Sequence, residues 1–101
     1  MTMLTLENGR LTETSVDTLR QYSDMLACQC PEKLLEILHS IRSFIDYSDS
    51  CIVRYPADAE THVWLRTAAL NLDKLLCGTV VQLARMEGFI DDQNNLIPRS
   101  K

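Results

Sequence analysis

Between Pro31 and Glu87, apolar residues recur at spacings of three and four, with one break at Tyr55-Pro56-Ala57-Asp58. Before the break, Leu34, Leu38, Ile41, Ile45, Ser48 and Ile52 form one row, and Ile37, Phe44, Cys51 and Tyr55 widen it. This spacing predicts an amphipathic helix of about 25 residues, roughly 37 Å at 1.5 Å per residue. Pro31 suits its first turn, where a missing N–H costs nothing. Pro56 ends it, because the residue before a proline is pushed out of helix.

After the break, Asp58 or Thr61 opens a second long helix. Its apolar set is Val63, Trp64, Leu65, Ala68, Ala69, Leu72, Leu75, Leu76, Val80, Leu83, Ala84 and Met86. The alternation of three and four is that of a packed bundle helix. Gly78 interrupts it at about 1 kcal/mol relative to Ala and suggests a close helix crossing. Gly88 marks the stop. Phe89 and Ile90 are placed to fold back on the bundle, and residues 91–101 read as a polar tail with Leu96-Ile97 its apolar part.

Upstream, Thr14 or Ser15 caps a shorter helix carrying Val16, Leu19, Tyr22, Met25 and Leu26, expected to end near Ala27 or Cys28. Ahead of that, Met3-Leu4-Thr5-Leu6 and Arg10-Leu11-Thr12 flank Asn8-Gly9, a hairpin signal. Such a hairpin needs helices or another chain to pack on, and the alternative is a frayed arm with a single turn.

The fold expected is all-α: an antiparallel long-helix hairpin plus a short N-terminal helix and an N-terminal β-hairpin. Residues 1–13 form the arm, 14–90 the helical domain and 91–101 the tail. The stripes are too wide for a lone hairpin. A homodimer closing a four-helix bundle about a two-fold axis buries them. A compact three-helix monomer is the alternative. Leu38, Ile41, Phe44, Ile45, Trp64, Leu65, Leu72, Leu75 and Leu76 are the expected core and interface residues.

Charge narrows the partners. The 101 residues carry a formal net charge of −4, with 46% hydrophobic residues. Basic residues are scattered, so neither nucleic acid nor an anionic membrane is an expected direct partner. No apolar run approaches the roughly 20 residues of a membrane span. The first ten residues lack a basic segment followed by an apolar one, so a cytoplasmic protein with reduced cysteines is expected.

Candidate chemistry is sparse. Cys28-Gln29-Cys30-Pro31 is the most distinctive motif, since a thiol at a helix N-terminus is easily activated. Zinc sites space their ligands differently and need a second pair, so the alternatives are a thiol-redox or metal-sensing pair at Cys28 and Cys30, or two small residues packing a helix corner. Asp58, Glu60 and His62 gather with Cys51 around the helical connection, as a metal site or as ordinary caps and ion pairs. His39 opposite Cys77 lacks a third orienting group. Tyr47, Tyr55 and Trp64 suggest an aromatic cluster near the bend, as core or as a small-molecule pocket. No glycine-rich phosphate loop or nucleophile elbow occurs. No catalytic residue, cofactor or metal ligand is assigned.

Cys28-Gln29-Cys30-Pro31, Leu34, Leu38, Phe44, Tyr47, Cys51, Asp58-Ala59, His62, Leu65 and Glu87-Gly88 together resemble a helical accessory segment of some bacterial MerR-type transcriptional regulators. The similarity covers roughly residues 26–88, and the chain lacks such regulators' basic DNA-reading helix upstream. The resemblance implies a free-standing module for signalling or oligomerisation. The function expected is a non-enzymatic helical dimerisation and protein-interaction module in bacterial regulation.

Overall fold

A computed structural model describes residues 3–97. It is mostly helical, with three helices and a two-stranded antiparallel sheet. Strands β1 (Leu6–Glu7) and β2 (Arg10–Leu11) pair Leu6 with Leu11 and Glu7 with Arg10. Asn8 and Gly9 turn between them at φ 55° and 80°. Two positive φ values in a two-residue loop match the twist of the flanking strands, which is why Asn-Gly signals this turn. The arm is thus a hairpin, and it is not loose: Leu4 and Leu11 are buried in the core.

Helix α1 spans Glu13–Ser23 and is capped by Thr12, whose hydroxyl accepts the Ser15 N–H. The cap expected at Thr14 or Ser15 is therefore displaced. The Ser15 hydroxyl is buried and accepts the Thr5 N–H instead. The C-terminal end also falls short of Ala27. Met25 and Leu26 bond to Tyr22 and Ser23, three residues back, so the last turn tightens and leaves the α-helix.

Helix α2 (Cys30–Arg54) and helix α3 (Ala59–Met86) form the long hairpin, joined by a 3-10 turn at Pro56–Asp58. Asp58 makes no side-chain cap bond, so that expected role is absent. At the other end, Gly88 adopts φ 78°. The Phe89 N–H then reaches the Ala84 carbonyl at 2.8 Å and the Gly88 N–H the Arg85 carbonyl at 3.1 Å. This paired closure needs a left-handed residue after the helix, which glycine supplies without Cβ strain. Phe89 is thereby turned into the core, edge-on to Tyr22 at 5.3 Å.

Residues 91–97 are not a free tail. Ile90 bridges Leu96, Met3 bridges Asn95, and the Leu4 N–H donates to the Asn94 carbonyl at 2.8 Å. The Asp91 carboxylate accepts the N–H groups of Gln93 and Asn95 and fixes the turn. Residues 98–101 lie outside the described residues. The expected close crossing at Gly78 is absent too: a Cβ there would meet nothing within 4 Å.

Together α1, the β-hairpin and residues 89–96 cover one face of the α2–α3 hairpin. Leu4, Leu11, Val16, Leu19, Leu35, Leu38, Cys77, Val80, Val81, Ala84, Phe89 and Ile90 pack between them. The molecule is 56 Å long, whereas α1 has 11 residues, about 16 Å. The cover therefore stops well short of the Pro56 bend.

Candidate functional site

The covered face is held by a charged lock. Asp73 of α3 is fully buried. Arg42 of α2 donates Nε to Asp73 Oδ2 at 2.9 Å, and Arg10 of β2 reaches the same oxygen at 3.0 Å. Arg42 also donates to Glu13 at 2.7 Å and to the Leu11 carbonyl at 2.7 Å. The Cys77 thiol donates to Asp73, and its sulfur accepts the Leu11 N–H at 3.2 Å. Leu11 belongs to the outward-facing pair of the hairpin, so its N–H and C=O point away from β1. Cys77 and Arg42 satisfy both.

The electrostatics follow from this geometry. Burial pushes the Asp73 carboxyl up, but hydrogen bonds from Arg42, Arg10 and Cys77 outweigh it, and the group titrates below its ordinary value. Burial also acts to lower Arg42, and its bonds to Asp73 and Glu13 raise it nonetheless. Burial pushes the Cys77 thiol up, with only the Leu11 N–H and the Arg42 charge opposing. Cys77 is thus a buried, protonated thiol, and His39 is exposed. Its sulfur is occupied by Asp73 and Leu11, not by an imidazole base.

The opposite face is bare. Ile37, Ser40, Ile41 and Phe44 of α2 and Leu65, Ala68, Ala69 and Leu72 of α3 line an open groove of about 300 Å³. No residue of α1, the β-hairpin or the C-terminal segment lines it. At 100° per residue, the row Ile37, Ile41, Phe44 is turned roughly a third of a circle from the row Leu35, Leu38, Arg42. Its lining mixes the small residues Ser40, Ala68 and Ala69 with larger ones, of which Phe44 and Leu72 are exposed. Leu72 is 54% exposed and Leu75, one step further along α3, is 70% exposed.

The nine residues expected in core or interface divide between the faces. Leu38 and Ile45 are buried, and Ile41, Leu65 and Leu76 are half-buried. Phe44, Leu72 and Leu75 are exposed on the bare face. Trp64 is exposed as well, so it is not a core residue of the single chain. Tyr47 and Tyr55 are also exposed, and the ring that Tyr55 meets is His62, at 6.4 Å. The tip is a splayed set of rings, because nothing beyond α2 and α3 reaches it.

Cys28 lies in the bend before α2, Cys30 is the first residue of that helix, and both thiols are exposed. They do not pack a helix corner. The Cys30 N–H and thiol donate to the Cys28 sulfur, which lowers the Cys28 thiol, while donation raises that of Cys30. Cys51 and Cys77 are buried elsewhere. Among the described residues no group of three or more His, Cys, Asp or Glu could hold a metal ion. None of their helices is long and apolar enough to cross a membrane.

The lock was missed in the sequence, although a signal for it exists. Asp73 is the only charge in the row Ala69, Asp73, Cys77, Val80, Ala84, and Arg42 the only one in Leu35, Leu38, Arg42, Ile45. Opposite single charges in two core rows, level across a hairpin, mark a buried pair. No family model, curated protein or solved structure matches the chain.

Proposed function

We propose that the chain is a non-enzymatic helical interaction module that works through the bare face of its α2–α3 hairpin. The observation that supports it is the apolar groove of Ile37, Ile41, Phe44, Leu65 and Leu72, left open by every other element. Contiguous apolar surface of this kind marks an interaction site in a folded protein. The likeness to an accessory segment of MerR-type regulators adds a bacterial regulatory and cytoplasmic setting to the proposal.

The test contrasts the two faces. Leu38→Asp puts a charge into the core and is expected to unfold the chain. Leu72→Asp is expected to keep native helical circular dichroism and a cooperative melt. It should also lose self-association and reduce the binding of an apolar fluorescent dye to any unassociated chain. A Leu72→Asp variant that melts out like Leu38→Asp, or that alters neither association nor dye binding, ends the proposal.

A second reading rests on the Cys28–Cys30 pair as a thiol-redox or metal-sensing site. Two exposed neighbouring thiols, that of Cys28 lowered by donation from Cys30, favour it. Native mass spectrometry of protein purified without chelator or reductant tests it. Bound metal or a mass two hydrogens light, lost in Cys28→Ser and Cys30→Ser, supports it. A metal-free, fully reduced chain removes it.

A further inference from the structure

We infer that the occupant of the bare face is a second copy of this chain, packed about a two-fold axis into a four-helix core. The inference rests on the interaction reading above and names its partner. Three observations carry it.

The first is spacing. Along α3, Leu65, Ala68, Leu72, Leu75 and Thr79 are separated by three, four, three and four residues. All of them are half-buried or exposed in the single chain. On α2, Ile37, Ile41 and Phe44 follow at four and three, and all three line the open groove. A strict alternation of three and four is the seam that one helix presents to another in knobs-into-holes packing. Helix α3 thus carries two seams, one facing the cover of its own chain and the other facing outward beside Ile37, Ile41 and Phe44 of α2.

The second is charge. Continuing that α3 seam from Thr61 through Gln82 to Met86, no charged residue falls on it. The chain as a whole carries a net charge of −4, so two copies repel each other at long range. An uncharged seam is the surface on which they can meet without a like-charge contact. A strongly basic or acidic partner would find no counter-charge there, and a charged rim is how such partners are steered and selected.

The third is shape. The groove is lined by the small residues Ser40, Ala68 and Ala69 together with the large, exposed side chains of Phe44 and Leu72. A two-fold axis makes every contact reciprocal, so the large side chains of one copy pack over the small ones of the other and the reverse. A face with its own knobs and its own holes is complementary to itself.

The experiment is sedimentation velocity of the native chain over about 1–100 µM, with reductant present so that Cys28 and Cys30 cannot cross-link copies. The expected result is a species of twice the 11.5 kDa chain. Leu72→Asp is expected to sediment as a folded monomer. If it fails to fold, Leu75→Asp, at a position 70% exposed, serves in its place. A native chain that stays monomeric throughout overturns the inference. In that case dye binding that Leu72→Asp abolishes leaves the face a docking site for another protein, and no dye binding removes the interaction reading too. A dimer that survives both substitutions places the contact elsewhere and also overturns the inference.

Discussion

Leu35, Leu38 and Arg42 on α2 meet Asp73, Cys77 and Val80 on α3 beneath α1 and the β-hairpin. A third of a turn away, Ile37, Ile41 and Phe44 meet Leu65, Ala68 and Leu72 with nothing above them. The same two helices build both faces. The covered face contains a buried carboxylate held by two guanidinium groups and a thiol. Charge lies in the buried seam and is missing from the exposed one, the reverse of an ordinary surface helix. A buried ion pair adds little net stability against apolar replacements, but it tolerates only the arrangement that satisfies it. Here Arg42 ties α2, α3, α1 and β2 to one point, so it fixes how the cover sits. The bare face has no such pin. What it offers is apolar area and shape, the ingredients of contact between chains.

The largest break in this comparison comes from the lock itself. Asp73→Asn takes away the buried carboxylate that Arg42 and Arg10 share, leaves Arg42 only the exposed Glu13, and should cost about 3 kcal/mol in urea unfolding. Replacing Asp73, Arg42 and Arg10 together by Leu, Met and Met should recover most of that loss. A single variant that costs less than about 1 kcal/mol would show that water reaches the carboxylate. Next comes a matched pair. Leu38→Ala removes a buried side chain and should cost about 2–5 kcal/mol. Leu72→Ala, at a half-exposed position, should cost the isolated chain about 1 kcal/mol or less. Equal losses, measured by urea titration of dilute protein, would mean that the two faces are not as different as they look.

Much of this fold is legible in the sequence, and what is not has physical reasons. The two long helices follow from spacing and from Pro31 and Pro56, because a broad apolar stripe over 25 residues permits little else. The hairpin turn follows from Asn8-Gly9, since few other pairs accept positive φ twice. Periodicity does not say which edge of a wide stripe is covered by the same chain. That is why Leu38 and Leu72 read alike, although one is 1% and the other 54% exposed. Trp64 divides the same way: its ring fits core or interface in the sequence, and in the single chain it is exposed because α1 is too short to reach the bend. The segment after Ile90 reads as tail because its order comes from distant backbone partners, Leu4 and Met3, which local composition does not encode. The thiol pair stands out in the sequence, but its exposure does not, because Pro31 starts a helix whether or not the residues before it are packed.

A smaller effect concerns how the cover is closed. Gly88→Ala forces a Cβ into a left-handed backbone at φ 78°, at about 1–2 kcal/mol. The space around it is open, so the cost is conformational and not a clash. Its sharper consequence is local. Hydrogen exchange should quicken at Phe89 and through residues 90–97, while the amides of α2 beside the groove keep their protection. Loss of protection at both would mean that the faces unfold as one unit.

The smallest effect is the pH dependence of the lock, with at most about 1.4 kcal/mol per pH unit for one proton. Asp73 titrates below its ordinary value because its hydrogen bonds outweigh burial. A depressed carboxyl contributes fully above the unfolded pKa of about 3.9, and the contribution is lost as pH falls through the lower folded value. Stability from this group should be flat between pH 7 and pH 5, then decline below about pH 4. Asp91, lowered chiefly by the Asn95 N–H, acts with the same sign on the C-terminal turn. Urea midpoints at pH 7, 5, 4 and 3 measure the sum. Asp73→Asn should flatten the acid limb, and Asp91→Asn should leave most of it. If Asp73→Asn declines as steeply as the native chain, the acid sensitivity lies outside the lock. The covered face would then owe its hold to packing alone, as the bare face must.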